Sequence, residues 1–364
     1  METGVKIESK SGGSSEQRIT LEEISEIIGI SRTTIYKVIR NKGAVSDKTR
    51  ERVEAALEKY HYVENKNARN LAMNRQYMIG YVGFRSKSSA YFSPEVRKGI
   101  DRAIREFGDD GLTILLSEFD VHNPGQQLEA VDQMLKEGVR SFVLAFSDNE
   151  VIRQILDKLK KMKCLVVLLS RDLQENTGNY YVGVDYYQSG LLAAELLGKM
   201  LPQGGSVLIP VTEEYQTNCD IQNRLKAFLT KMQDFPACHI LPVVHGLTEE
   251  NEIRREIKQA IAQNSDLAGI FDLTYRLDVV ADVLKEEKRE DLRLIGFDLY
   301  PEIMEDIRDS RIDAVVYQDL NKQAYEGIKL LFEEMCYGKH LSEKKHYSKL
   351  EVVMSGNLSY FLQG

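Results

Sequence analysis

The chain has 364 residues, 43% of them hydrophobic, with a formal net charge of −8. That length is enough for more than one compact unit, and the absence of any run of about 18 apolar residues argues against a membrane span. The four cysteines, Cys164, Cys219, Cys238 and Cys336, lack CxxC spacing, which fits reduced cytoplasmic thiols and not a disulfide framework.

Charge is unevenly placed. Between Arg18 and Arg75 there are 12 Lys and Arg against 8 Asp and Glu, a net of +4, whereas residues 76–364 carry 34 against 45, a net of −11. Attraction to a phosphate backbone needs local positive charge, so any nucleic-acid contact is expected at the head of the chain alone. Residues 1–17, METGVKIESKSGGSSEQ, have no apolar segment of the secretory kind and read as a flexible arm.

From Arg18 to Arg40 the sequence RITLEEISEIIGISRTTIYKVIR reads as two short amphipathic helices joined at Gly29. Thr20 and Glu23 form a capping box for the first, in which Ile24, Ile27 and Ile28 define one apolar face. Ser31 caps the second, where Ile35, Val38 and Ile39 point inward. Arg32, Thr33, Tyr36, Lys37 and Arg40 are left on the outer face, at the spacing that lines a major groove. Such a pair is also compatible with a plain helical hairpin whose outer face is merely solvated. A third helix is expected from Asp47 to Tyr60, with Val53, Ala56, Leu57 and Tyr60 as its buried stripe. The polar and basic segment Asn65 to Met73 follows it.

Three motifs carry a resemblance: Ile19-Thr20, Gly29-Ile30-Ser31 and Val45-Ser46-Asp47-Lys48-Thr49-Arg50. Residues 18–75 resemble, without a gap, the DNA-binding headpiece of the lactose-repressor and galactose-repressor family. The resemblance implies a helix-turn-helix headpiece over 18–64 and a hinge helix or linker over 65–76. It also implies DNA contacts from Thr20, Ser31, Arg32, Thr33, Tyr36, Lys37, Arg40, Asn65, Ala68 and Arg69, with Leu71 as a minor-groove wedge. Tyr36 and Lys37 replace the family's common Ser-Arg pair and Arg40 a frequent Asn, so the operator is expected to depart from the usual one, while Glu64 stands where a Pro often precedes the hinge and leaves the entry to that helix less rigid.

After Tyr77 short apolar runs alternate with amphipathic stretches, the pattern of parallel sheets covered by helices on both faces. Expected strands are MIGYVGF, LTILLSEF, SFVLAF, CLVVLLS and YYVGV, with helices starting near Pro94, Pro124 and Glu150. A second set places strands at Ser206 to Pro210, Cys238 to Val244, Leu267 to Asp272 and Leu292 to Phe297. Its helices start near Tyr186, Asp220, Glu249, Leu277 and Pro301. The fold class is thus an all-α headpiece followed by an α/β body of two doubly wound parallel-sheet subdomains with a cleft between them. The body spans 77–364, its first subdomain about 77–185 and 319–343, its second about 186–318 and 344–364.

Tyr91-Phe92, Ser170-Arg171, Val184-Asp185, Arg224, Gly296-Phe297-Asp298 and Val316-Tyr317-Gln318 stand in the order in which they occur in the type I periplasmic sugar-binding fold. The body is similar to that fold, which the repressor family shares. The resemblance implies an effector held by Tyr91, Phe92, Ser170, Arg171, Asp185, Arg224, Tyr275, Asp298 and Gln318, with rings stacking on a sugar and polar groups bonding its hydroxyls. Thr274-Tyr275 replaces a usual Asn-Asp, and Ser170 a common Asp. Both changes remove acidic groups while Arg171 and Arg224 remain, which shifts the expected effector from a neutral sugar toward a sugar phosphate or sugar acid.

No GxSxG, GxxxxGK[ST], GxGxxG or HExxH motif occurs, so an enzyme is not expected, and neither a cofactor nor a metal is implied. The expected protein is a cytoplasmic, homodimeric transcription regulator, a repressor binding double-stranded operator DNA under control of a small sugar-like effector. Two other readings stay open on the residues alone: a regulator of this fold that responds to a partner protein, and a solute receptor without DNA function.

Overall fold

The computed structural model describes residues 21–39, 45–60, 76–86, 90–173, 178–212, 218–339 and 343–362. Thr20, Arg40, Asn65, Ala68, Arg69 and Leu71 lie outside the described residues, as do the side chains of Arg32, Thr33 and Tyr36.

Three helices close the small N-terminal core: α1 (Leu21–Ile28), α2 (Arg32–Ile39) and α3 (Asp47–Lys59). Each later helix starts on a serine whose oxygen takes an otherwise unpaired backbone amide: Ser31 from Thr34 and Ser46 from Thr49, both at 3.3 Å. Gly29 turns the chain at φ +63°, a value that a side chain resists. The Ser25 hydroxyl and the Arg52 guanidinium then donate to the carbonyls of Ile30 and Ile28, at 2.8 and 2.9 Å, and fasten the turn. Ile24, Ile35, Val38, Val53 and Ala56 form the core, with Ile28, Ile39, Leu57 and Tyr60 at its margin. Ile27, expected on the apolar face, is instead 53% exposed. In so short a helix the line of contact runs through positions 24 and 28, and residue 27 falls beside it.

The first half of the body runs β1 (Tyr77–Arg85), α4 (Phe92–Phe107), β2 (Leu112–Asp120), α5 (Gly125–Lys136), β3 (Ser141–Leu144), α6 (Asn149–Lys161), β4 (Leu165–Ser170) and β5 (Tyr180–Gly183). The chain then crosses over and builds α7 (Tyr186–Met200), β6 (Gly205–Leu208), β7 (Pro210–Thr212), α8 (Cys219–Met232), β8 (Cys238–Ile240) and β9 (Val244–Leu247). It continues through α9 (Glu250–Gln263), β10 (Leu267–Phe271), α10 (Leu277–Glu286), β11 (Arg293–Phe297), α11 (Met304–Arg308) and β12 (Ala314–Tyr317). Last come α12 (Leu320–Tyr337), β13 (Lys345–Tyr347), β14 (Glu351–Val353) and α13 (Leu358–Phe361).

Two six-stranded sheets result, ordered β13-β5-β4-β3-β1-β2 and β14-β12-β11-β10-β6-β8. In both, the order reverses about the first strand of the half, β1 or β6. At such a switch point the connections leave to opposite faces and open a crevice at the strands' carboxyl ends. Prolines account for two departures from the expected strands. Pro242 lacks an N–H and splits Cys238 to Val244 into β8 and β9, and Pro210 separates β6 from β7; β7 and β9 then pair as a small sheet of their own. The expected boundary at 343/344 is also displaced. Lys345, His346 and Tyr347 pair in parallel with Tyr181, Val182 and Gly183, so the first sheet keeps the chain through Tyr347. The free edge of β5 is what this strand covers. Only β14 belongs to the second sheet, antiparallel to β12, with Val353 opposite Val315.

Close helix pairs carry the parts that face the cleft. α7 meets α8 at Gly190, where an added Cβ would collide with the Arg224 carbonyl oxygen and crowd Ala227; Gly99 of α4 sits equally tightly against the Asn321 carbonyl of α12. Gly190→Ala therefore overpacks the helix that carries Arg224 and should cost roughly 1–3 kcal/mol, read as a lower denaturant midpoint at unchanged slope. Asp272, just past β10, is 3% exposed and accepts from Thr274 N at 3.1 Å and Thr274 Oγ1 at 2.7 Å. Burial pushes its carboxyl from the ordinary 3.8 up to about 7. Between those values the folded chain keeps a proton that the unfolded chain has lost, so stability falls as pH rises through that window and levels off above it. Asp272→Asn, which keeps an oxygen for Thr274, should flatten that slope in denaturation curves taken at pH 5 and pH 8.

Candidate ligand-binding cleft

The crevice at the carboxyl ends of both sheets holds about 630 Å³ of space counted out to its mouth, open solvent included. Eight of the nine residues expected to hold an effector line it: Tyr91, Phe92, Ser170, Arg171, Arg224, Tyr275, Asp298 and Gln318. Asp185 is not among the lining residues; its carboxylate caps α7, accepting from Gln188 N at 3.0 Å. Phe84, Phe146, Ser147, Tyr186, Asn218 and Asp220 also line the cleft and were missed. Asp220 had a readable signal, since it stands four residues before Arg224 on α8, so both side chains share a face.

Strand ends deliver these side chains in an unusual backbone state. Ser170 closes β4, Asp298 follows β11 and Tyr275 precedes α10, and their φ values are +66°, +65° and +62°. Non-glycine residues rarely adopt this left-handed conformation, and its cost is characteristic of positions where a side chain must be aimed at a ligand.

Arg224 is the largest fully buried side chain among the described residues, 1% exposed. Its guanidinium carbon lies 3.8 Å from the Phe297 ring centroid and 4.8 Å from that of Tyr186, so the charge sits between two aromatic faces. Nε donates to Ser189 Oγ at 3.3 Å, while Nη2 is buried with no partner. Asp298, 3% exposed, takes Tyr91 Oη at 2.6 Å on one oxygen and Gln318 Nε2 at 2.7 Å on the other. That pairing fixes which end of the Gln318 amide is the donor and leaves its Oε1 buried and unpartnered. Ser147 Oγ is a third such atom.

Arg171 donates Nε to Asp220 Oδ2 at 3.2 Å and Nη1 to the Ser147 carbonyl at 3.1 Å. Burial raises the Asp220 and Asp298 carboxyls, opposed at Asp220 by Arg171 and Arg224 and at Asp298 by Arg224. Two guanidinium groups thus face two carboxyl groups. The excess of positive charge expected from the sequence is not found, because Asp220 supplies the carboxylate whose loss Ser170 seemed to signal. An aromatic wall completes the site: Phe84 stacks on Phe92 at 4.8 Å, and Tyr91 on Tyr300 at 4.9 Å.

On the headpiece, Lys37 is exposed on α2, while Ser31 spends its hydroxyl on the helix start. Among the described residues no helix is long and apolar enough to cross a membrane.

Known proteins place both parts. Residues 20–65 match the family described as bacterial regulatory proteins, lacI family, and residues 79–340 match the periplasmic binding protein domain. The chain is 23% identical over 320 residues to the ribose operon repressor of Lactococcus lactis, covering 84% of this chain and 87% of the relative. It is 28% identical over 282 residues to a sucrose operon repressor of Pediococcus pentosaceus, covering 76% and 81%. The fold is that of a LacI-type regulator from Bacteroides fragilis, with TM-score 0.69 at 18% identity over 79% of this chain and 99% of that one. A sugar-binding protein of a Bacillus halodurans transporter is equally similar, with TM-score 0.69, 18% identity and coverage of 78% and 99%. The chain belongs to the lacI family of bacterial regulatory proteins, with the family's DNA-binding headpiece joined to a periplasmic-binding-protein body.

Proposed function

We propose that this protein is a sequence-specific repressor whose operator affinity is set by a neutral, polyhydroxylated effector held in the cleft. It is a regulator and not an enzyme. Three unpartnered buried atoms on residues that line the cleft carry the reading: Arg224 Nη2 can only donate, Gln318 Oε1 can only accept, and Ser147 Oγ can do either. A buried polar atom left unpaired costs about 1–3 kcal/mol, so the right ligand recovers that cost at each. Hydroxyl groups donate and accept and so satisfy all three. A fully ionised phosphate or carboxylate group accepts only, so it cannot itself partner Gln318 Oε1, and it would meet Asp220 and Asp298. The operon repressors that this chain resembles are named for ribose and sucrose, which are neutral polyols.

The rest of the mechanism follows the family. Two copies pair inside the cell, each headpiece reads one half of a near-palindromic operator, and the cleft's state is passed to residues 65–76. Asn65, Ala68 and Arg69 then contact DNA and Leu71 wedges the minor groove, while Thr20, Arg32, Thr33, Tyr36, Lys37 and Arg40 face the major groove. Leu71→Ala is expected to weaken binding to an operator selected from random duplexes while the protein stays dimeric; an unchanged dissociation constant removes the wedge.

A thermal-shift screen of neutral sugars against their phosphates and acids, on the full chain, tests the effector class. A neutral sugar at about 100 times its Kd stabilises the fold by roughly 2.7 kcal/mol. Arg224→Lys should weaken that sugar at least about tenfold, through loss of a charged hydrogen bond worth roughly 1.5–3 kcal/mol. Tighter binding of the phosphorylated form would overturn the neutral assignment.

A further inference from the structure

Among the described residues, two of the polar contacts that bridge the halves of the body across the cleft are built alike, while a third, at the crossover, runs the other way, from Tyr186 Oη to the Ser170 carbonyl at 2.6 Å. In each of the first two, the donor comes from the half that contains β1 to β5 and the carboxylate from the half that contains β6 to β12. Arg171, directly after β4, donates to Asp220 in the first turn of α8 at 3.2 Å. Tyr91, directly before α4, donates to Asp298 after β11 at 2.6 Å.

Tyr91 crosses as a whole side chain. Its ring lies parallel to that of Tyr300, 4.9 Å between centroids and 6° apart in plane, and it packs against the apolar core of the second half. Arg171 is held from behind, by the Ser147 carbonyl at 3.1 Å and the Phe146 ring at 5.7 Å. Both contacts are shielded from water: the Arg171 and Asp220 side chains are 12% and 10% exposed, and Asp298 is 3% exposed. Salt therefore screens them little, and breaking either strands a buried carboxylate.

The consequence concerns which atoms an effector can use. Asp298 has one oxygen taken by Tyr91 and the other by Gln318, and Asp220 is engaged by Arg171. A ligand hydroxyl that sought Asp298 would compete with internal donors on both oxygens, whereas Asp220 keeps Oδ1, met only by Cys219 Sγ at 3.8 Å. The unpartnered cleft atoms lie elsewhere, on Arg224, Gln318 and Ser147.

We propose that Tyr91 and Arg171 are positioning residues forming a built-in latch, which draws the cleft closed before an effector arrives and leaves recognition to Arg224, Gln318 and Ser147. The effector then tips an equilibrium whose starting point the latch sets, and it need not supply the whole drive for closure. The regulatory meaning of the latch rests on the cleft being the effector site, but its existence does not, so the test uses no effector.

Spin labels on unnatural residues at Asn123 and Asn251, exposed at the openings of α5 and α9, report the separation of the halves in the full chain without touching the native cysteines. Spin dilution with unlabelled protein removes distances between protomers. The unliganded protein should give one short, narrow distance distribution. Tyr91→Phe keeps the ring and its stacking, hence the fold, and should add a longer-distance population; Arg171→Gln should do the same, and the pair together should make that population dominant. A broad or long distribution in the unsubstituted protein, or variants indistinguishable from it, would overturn the latch. A latch that fails this test leaves the sugar screen unaffected, and a screen without a hit leaves the latch standing.

Discussion

The cleft depends on one buried charge. Arg224 is held between the rings of Phe297 and Tyr186, within the field of Asp220 and Asp298, and the neighbouring geometry can be read as a response to it. A guanidinium taken out of water needs hydrogen bonds and counter-charge, or its burial is prohibitively costly. Ser189 supplies one bond, the two carboxyls supply the charge, and the Nη2 amino group is left without a partner on a residue that lines the cleft. Gly190 follows from the same constraint. Only a residue without a side chain lets α7 approach the Arg224 carbonyl closely enough to place the guanidinium at that depth.

The architecture around it repeats. Each half of the body reverses its strand order about its first strand, so the two carboxyl-end crevices face each other and a single ligand can be contacted from both. The positive φ values at Ser170, Tyr275 and Asp298 show where the chain is bent to aim a side chain inward. Gln318 has a double position. Its amide bonds Asp298 in one half, and its carbonyl accepts from Gln323 of α12, which packs on the other, at 2.7 Å. A group that touches the ligand space is thus part of the segment that joins the halves, and a change of closure has a direct path into the backbone.

Much of this was legible beforehand, and the reasons differ by residue. Caps such as Ser31 and Ser46 are local chemistry, decided within three residues, so they read correctly. The alternation of apolar runs fixes where strands stop, and the resemblance to the periplasmic sugar-binding fold picked out residues at those ends, eight of which line the cleft. Ile27 failed because an eight-residue helix contacts its neighbours along a line narrower than its apolar face. The strand Lys345–Tyr347 was missed because it is short and half polar, and only the free edge of β5, some 160 residues earlier, makes it a strand. Asp220 was missed because its role depends on Arg171, which lies on another sheet. Asp185 was wrongly placed because a carboxylate before a helix serves the helix first. Charge sign in the pocket is therefore a tertiary property, and counting acidic motifs along the chain gave the wrong balance.

The body's acidity and the headpiece's basic charge divide the labour between them. The net of +4 over residues 18–75 against −11 over 76–364 favours DNA contact at the head of the chain, so on the proposed reading the cleft acts on operator binding through the headpieces. Coupling is thus the central claim, and it is most directly measured by titrating full-length protein onto its selected operator with and without a saturating neutral sugar. The operator Kd should change by about tenfold or more, equivalent to roughly 1.4 kcal/mol of coupling. An operator Kd that stays the same with the cleft demonstrably occupied would contradict it.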